Sequence, residues 1–514
     1  MNWKALLAAL AIPTAAFAQT GRRARATAAA SSEPMTSTVR APAEVHVTTQ
    51  HSITIDGQRI DYDATVGSII LRNAAGQPTG ELYYTAYTKR GVTDESTRPL
   101  MFAYNGGPGA SSIWVHMGLL GPKRVDIPDA VHAPPPPYRL VDNQYSMLDK
   151  ADLVFIDPIG TGYSRPVGVG KGSDFWGVEK DANSLAQFIT RWLSQNDRWN
   201  SPRYIMGESY GTMRSAVLSA VLQQRDHVDL NGVILLSASL DFETKTFNPG
   251  NDEAYLMFLP TYAAVAWYHH ALPQRPAELR PFLRRVEHFA INGYALALLA
   301  DSLSPTRRNA ILDTLHQYTG LSRDYLDRAN LRVTAAQFQK ELLREHGELV
   351  SRLDARFTGD TGDLLAESAN YDPQSVDIGS AYVSLFNQYM HTDLDYGKDM
   401  VYTVGGAVRG WDWNHNNTVG GRPGYTNSAV DLARTLSQNP RLHVMLNSGL
   451  FDLATPYFAS EWIMDHLGVP SEVRARITEA EYQSGHMIYV HVPALAAFKK
   501  NVAAFIDATS GVSH

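Results

Sequence analysis

A chain of 514 residues with 44% apolar side chains can bury a core large enough to fold without disulfides, and it has no cysteine with which to make them. The same absence excludes thiol nucleophiles and cysteine-ligated metals, while 45 basic against 52 acidic side chains, a net charge of −7 with no basic tract, argues against nucleic-acid binding. No H-E-x-x-H pattern occurs, the adjacent His269 and His270 point to different faces of either regular structure, and Arg165 and Gly172 break any phosphate loop around Lys171, so neither metal nor cofactor is expected.

Met1 to Ala18 carries Lys4, an apolar core from Ala5 to Ala11 and the small-x-small site Ala16-Phe17-Ala18, the pattern of a secretory signal peptide cleaved before Gln19. Arg22-Arg23 follows the apolar core, whereas a twin-arginine signal precedes it. Residues 19–45 are rich in Ala, Ser, Thr and Pro without periodicity and read as a flexible leader. No later apolar run is long enough to cross a bilayer, so an exported protein, periplasmic or extracellular and without membrane insertion, is expected. Strand-like pieces follow at Ser52–Ile55 and Leu82–Tyr87, with Asp56-Gly57 as a turn signal. Apolar runs beginning at Leu100, Leu153, Tyr204, Val233 and Val444 read as buried strands of a mostly parallel sheet, with helices between several of them. Pro134 to Pro137 reads as a stiff surface loop.

The chemistry lies at the ends of these runs. Gly207-Glu208-Ser209-Tyr210-Gly211 follows the apolar Tyr204-Ile205-Met206 and precedes a helical pattern from Met213 to Leu222. Strand, G-x-S-x-G and helix in that order force the serine into a sharp, exposed turn, the nucleophile elbow of α/β-hydrolases. Such a serine needs a histidine to take its proton and a carboxylate to orient that histidine, in the chain order Ser, Asp or Glu, His. Asp452 stands three residues beyond the strand pattern Leu442–Gly449, and His486 stands in Tyr482-Gln483-Ser484-Gly485-His486-Met487, before a final helix. Taken alone, Asp452 also fits a turn or cap residue, and His486 a satisfied loop histidine. Tyr104-Asn105-Gly106-Gly107-Pro108-Gly109 is a further strand end opening onto a turn, whose exposed backbone N–H groups suit an oxyanion hole.

Asn-Gly-Gly-Pro-Gly-x-Ser-Ser followed by Gly-Glu-Ser-Tyr resembles the serine carboxypeptidase family. Val154–Ser164, Asn447–Asp452 and Ser484–Met487 agree with it, and the order and rough spacing fit from about residue 46 to the end. The chain is therefore identified as resembling an exported bacterial member. That resemblance implies Ser209 as nucleophile, His486 as general base and acid, Asp452 as orienter, and the backbone N–H groups of Gly107 and Tyr210 as the oxyanion hole. It also implies Asn105, the Gly106 amide and Glu208 as the site for a peptide's C-terminal carboxylate. Glu208 beside a substrate carboxylate is a like-charge pair sharing one proton, so binding should weaken as pH rises.

The expected organisation is a signal peptide (1–18), a leader (19–45), a first part of the hydrolase core (46–240), a helical cap insertion (241–424) and a second part of the core (425–514). Within the insertion Leu279, Phe282, Leu283 and Val286 recur at helical spacing, as do Ile311, Leu312 and Leu315. Trp411 and Trp413 are assigned to core packing in preference to a pocket. The sequence departs from the family pattern at Ala103, where many members have tryptophan, at Leu119, where a glutamate often supports the asparagine, at Ala110 and at Gly211-Thr212. The expected function is a serine carboxypeptidase acting on peptides with a free C-terminus and favoured at acid pH. An acyltransferase or esterase using the same triad, and a catalytically silent binding protein, are the alternatives.

Overall fold

Each apolar run becomes a strand because its side chains have apolar partners on both faces. The protein, described here as a computed structural model, is defined over residues 41–419 and 422–512; the expected signal peptide and residues 19–40 of the expected leader lie outside them. The central sheet contains β1 (His46–Ile55), β2 (Gln58–Arg72), β3 (Pro78–Lys89), β4 (Leu100–Tyr104), β5 (Asp152–Ile156), β6 (Arg203–Glu208), β7 (Gly232–Leu236), β8 (His443–Gly449) and β9 (Ile477–Tyr482). Their spatial order is β1-β2-β3-β5-β4-β6-β7-β8-β9, with the short Arg165–Pro166 strand paired to β3. β1, β2, β3 and β5 pair antiparallel in turn, and every pair from β5–β4 to β8–β9 is parallel.

Helices α1 (Val178–Gln195) and α2 (Tyr210–Gln224) follow β5 and β6. Between β7 and β8 lie α3 (Glu253–Tyr268), α4 (Leu279–Phe289), α5 (Pro305–Thr319), α6 (Pro373–Thr392) and α7 (Ala429–Gln438); α8 (Tyr457–Asp465) follows β8 and α9 (Val492–Thr509) follows β9. Alternate side chains of each central strand enter opposite layers, as a period of two requires. From β4 and β6, Met101, Ala103, Tyr204 and Met206 pack with α6 and α9, where Leu385, Phe386, Leu495 and Phe498 meet them. Phe102, Tyr104 and Ile205 pack on the other face with Phe188 and Trp192 of α1, Val217 of α2 and Leu432 of α7. Full burial of such side chains contributes about 1.5–3 kcal/mol each. Helices α3 to α5 form a third cluster through Phe258, Phe282, Leu283, Leu312 and Leu315, and it takes in Leu450, Phe451 and Leu453 around Asp452. The helical spacing in this segment thus corresponds to buried faces.

The sheet order fixes where a site can form. From β4 the chain crosses to β5 on one side and then to β6 on the other, so β4–β6 is a topological switch point. Loops leaving the C-terminal ends of those strands diverge and open a crevice there. Register brings Tyr104 of β4 opposite Gly207 of β6 and Leu236 of β7 opposite Glu208. On the far side Asn447 of β8 lies opposite Leu236, and Gly449 opposite Tyr482 of β9.

At the opposite end of the sheet a buried ion network anchors β5. Asp152 accepts from Arg98 Nε at 2.9 Å, from Arg198 Nη1 at 2.6 Å and from the Lys89 backbone N–H at 2.9 Å. Asp152→Ala leaves a buried guanidinium without its counter-charge. It is expected to lower stability by about 3–5 kcal/mol, read as a fall in the urea midpoint at unchanged slope.

Candidate active site

The turn after β6 holds Ser209 at φ 60° and ψ −128°, outside the helical and extended regions. A non-glycine residue held in such a conformation costs on the order of 1–3 kcal/mol and persists only where its surroundings fix it. Here the Ser209 N–H donates to Leu236 O at 2.9 Å, and Ser209 O accepts from the Thr212 N–H and hydroxyl at 2.9 and 2.7 Å. Strand and helix cross so closely that a Cβ on Gly207 would stand 2.1 Å from Gly211 O, which explains the first glycine of the motif.

Asp452, fully buried beyond the end of β8, places Oδ2 2.7 Å from Nδ1 of His486. Its other oxygen accepts from the Ala454 and Thr455 N–H groups at 2.8 and 2.9 Å, and the Thr455 hydroxyl donates to Oδ2 at 2.6 Å. A carboxylate held this firmly by donors fixes the imidazole's orientation and tautomer. His486 is held from behind as well: Ser237 Oγ donates to its carbonyl at 2.7 Å, and its N–H donates to Leu353 O at 2.7 Å. Burial opposes a charge on His486, but the charge and hydrogen bond of Asp452, with Glu208 behind them, outweigh it and raise the pKa above 6.5. Ser209 and His486 line one cleft of about 320 Å³.

The loop after β4 closes over the elbow. A Cβ on Gly106 would lie 2.5 Å from Tyr210 N and 2.7 Å from Glu208 O, so the backbones approach to a distance only glycine permits. Gly107 and Tyr210 stand at the mouth of the cleft, and their backbone N–H groups find no acceptor among the described residues. Tyr210 is the first residue of α2, where N–H groups have no intrahelical partner and favour negative charge. The site can therefore present a nucleophile, a buried base and two free donors to one carbonyl.

Register at the switch point sets Asn105 beside Glu208, and Asn105 Nδ2 donates to Glu208 Oε1 at 2.9 Å. The asparagine is oriented by the main chain: Oδ1 accepts from Val115 N at 3.0 Å, and Leu119 is buried nearby in the same helical segment. Behind it, buried Arg214 of α2 donates to Asn105 O and to Asp181, both at 2.6 Å, and lies over the Tyr104 ring at 5.1 Å. Glu208 Oε2 is buried without a hydrogen-bond partner among the described residues. Burial drives the Glu208 pKa up from 4.5 to about 7, against the opposing pull of His486, Tyr489 and Asn105. A carboxyl group poised at that value can hold a proton to share.

All eight residues singled out from the sequence are thus brought together except that Asp452, fully enclosed, does not face the cleft itself. Sequence reasoning missed Thr455, Ser237 and Arg214. The spacing D-x-x-T from Asp452 was a usable signal for a hydroxyl on the carboxylate, whereas the other two carry none. Also missed were Trp114, Phe242, Lys245, Arg352 and Ile378 in the cleft wall. Trp413 packs on Phe242 at 4.9 Å and edge-on to Tyr210 at 5.8 Å, and it lines the cleft as well; Trp411 packs on Tyr210 at 5.2 Å. The assignment of both tryptophans to packing therefore needs correction at Trp413, which does both.

The raised pKa of Glu208 has a stability signature. The unfolded chain gives up this proton near pH 4.5 and the folded chain near 7, so stability falls as pH rises through that window. Glu208→Gln removes the effect. Relative to the parent, the variant should gain about 3 kcal/mol between about pH 4.5 and pH 8 in urea unfolding. A constant difference would mean that the carboxyl ionises as it does in water.

Residues 71–271 match the family model described as serine carboxypeptidase. Serine carboxypeptidase-like 36 of Arabidopsis thaliana is 29% identical over 175 residues, 33% of this chain and 34% of that protein. Pheromone-processing carboxypeptidase KEX1 of Leptosphaeria maculans is 28% identical over 149 residues, 29% of this chain and 21% of that protein. The aligned stretches thus span about a third and a fifth of those relatives' lengths. The crystal structure of Kex1Δp, a prohormone-processing carboxypeptidase from Saccharomyces cerevisiae, superposes with a TM-score of 0.54 at 16% identity, covering 87% of this chain and 91% of that one. The fold is that of an α/β-hydrolase, and over residues 71–271 the sequence is similar to the serine carboxypeptidase family.

Proposed function

We propose that the protein is a serine-type carboxypeptidase that releases C-terminal amino acids from peptides through an acyl-enzyme on Ser209. The observation that carries this reading is the buried Asn105–Glu208 pair beside the elbow serine, with one carboxyl oxygen unpartnered and a pKa of about 7. A carboxyl so placed binds a second carboxylate by sharing a proton with it. Asn105, the Gly106 amide and Glu208 hold the substrate's terminal carboxylate, which sets the last peptide bond above Ser209. Internal peptide bonds bring no carboxylate there, so action is confined to the chain end.

Ser209 Oγ attacks the carbonyl carbon while its proton passes to His486, whose charge Asp452 balances. The oxyanion receives the Gly107 and Tyr210 N–H groups, each such donor being worth roughly 3–4 kcal/mol in related chemistry. The C–N bond then breaks, the amine takes the proton from His486, and the free amino acid leaves. Water attacks the acyl carbon, gives a proton to His486, and the proton returns to Ser209 Oγ as the shortened peptide departs. The pattern of Met1–Ala18 supports export of the enzyme through a secretory leader.

Peptide hydrolysis tests this directly. Free-acid peptides should release single residues, and their C-terminal amides should react at least about 100-fold more slowly, the loss expected when a buried charge-assisted contact is unmade. Ser209→Ala should lower kcat on the order of 10⁴-fold or more. Equal rates on acid and amide, or turnover of simple esters alone, would instead mark an esterase or acyltransferase.

The pH profile separates the two titrating groups. KM for free-acid peptides should rise as pH climbs through about 7, where Glu208 ionises, and Glu208→Gln should flatten that rise. The acid limb of kcat/KM, which reports the free enzyme, should move to lower pH in the same variant, because the Glu208 charge is one of the influences that raise His486. An unchanged profile in Glu208→Gln would remove Glu208 from carboxylate recognition.

A further inference from the structure

Beyond the carboxylate clamp the cleft has a second polar wall that the reaction above does not use. Lys245 and Arg352 both line it. Lys245 is the last residue of the 3₁₀ turn Glu243–Lys245 after β7, half-buried, with its ammonium 4.4 Å from the centre of the Phe242 ring and a hydrogen bond from Nζ to Ser239 Oγ at 2.5 Å. Neither Lys245 nor Arg352 has a carboxylate partner within ion-pair distance among the described residues, although Arg98, Arg198, Arg214 and Arg356 all do. Asp452, the acid whose charge reaches Lys245, is engaged by His486 and Thr455.

Arg352 is also held in place. It sits in the loop between the paired strands Glu348–Val350 and Thr358–Asp360. Asp372 accepts from the Arg352 and Leu353 N–H groups and from Ser351 Oγ, Arg352 O accepts from Leu453 N at 3.1 Å, and Leu353 O accepts from His486 N. Burial, and then the charge of Arg352, bring the Lys245 pKa down to about 8, so the two cations already repel each other across the wall. An anion between them would relieve that repulsion and give both a partner.

The clamp gives this wall a direction. Asn105 follows β4, the neighbour on one side of β6, whose end carries Ser209. Lys245 follows β7, the neighbour on the other side of β6, over the Phe242 ring that Trp413 and then Tyr210 pack against, and the acyl residue runs on that side. We propose that Lys245 and Arg352 form an anion subsite for the side chain of the penultimate residue, so that the preferred substrates carry Glu or Asp there. This inference rests on the carboxypeptidase reading for its direction.

The test uses N-blocked dipeptide acids in matched pairs, Glu-Ala against Gln-Ala and Ala-Glu against Ala-Gln, with N-blocked Glu and Gln p-nitrophenyl esters beside them. The esters need no C-terminal carboxylate, so the subsite is read even if carboxypeptidase action fails. Expected is a kcat/KM ratio on the order of 10- to 100-fold for Glu over Gln in the penultimate position, in peptides and esters alike. Arg352→Gln and Lys245→Met should each cut that ratio about 10-fold, and Lys245→Glu should turn the preference toward penultimate Lys. Labelling of Ser209 by a fluorophosphonate verifies that each variant is folded. Equal rates on the Glu and Gln members of both penultimate series would overturn the proposal. So would a preference confined to Ala-Glu, which would put the anion on the leaving residue. Selectivity in the esters with no release from any free-acid peptide would retain the subsite and reject the carboxypeptidase reading.

Discussion

The pairing of Tyr104 with Gly207 across β4 and β6 governs the whole site. It makes the two strands end together at the point where the sheet's order reverses, so that their loops meet over one crevice. Asn105 and Glu208 become neighbours, the Gly106–Gly107 turn lies over the start of α2, and Ser209 is driven into its left-handed turn. A one-residue slip in that register would separate every one of these groups. The backbone strain at Ser209 is borne by hydrogen bonds from β7 and α2, so the elbow is as rigid as the parallel sheet beneath it.

Charge in the cleft is arranged with similar interdependence. Burial alone would neutralise Glu208 and His486 alike, and it does raise the carboxyl. At His486 the fixed carboxylate of Asp452 wins over burial, because it is at hydrogen-bond distance in a water-poor setting where Coulomb terms are large. Glu208 and His486 each act on the other's titration, Glu208 raising His486 and His486 lowering Glu208. Lys245 and Arg352 lie at the edge of that field, and Arg352 acts on both Lys245 and His486.

Much of the fold was legible because it follows from short patterns. Buried parallel strands appear as unbroken apolar runs, and the runs at Leu100, Leu153, Tyr204, Val233 and Val444 fall within β4 to β8. β9, Ile477–Tyr482, escaped notice because its sequence ITEAEY alternates like an exposed edge. The elbow, the glycine turn and the positions of Asp452 and His486 were readable because each ends a strand with a local signature. Ser237 and Arg214 were not, since they act through contacts far away in the chain: Ser237 reaches His486, and Arg214 reaches Asn105. The wall formed by Lys245 and Arg352 was the least legible of all. Lys245 and Arg352 are separated by the helices α3 to α5, and nothing in a sequence announces that two distant cations will share a cleft.

The hairpin loop that carries Arg352 has a wider consequence. Arg352 O, Leu353 O and the Ala355 N–H bond to Leu453, His486 and Phe451, so the segment that shapes the pocket is also a strut for His486 and for the chain on either side of Asp452. Selectivity and turnover are then mechanically linked traits. A lineage that remodels this loop to accept new substrates shifts its own histidine in the same step, and an engineer who grafts a foreign loop here inherits a retuned catalyst along with a new pocket.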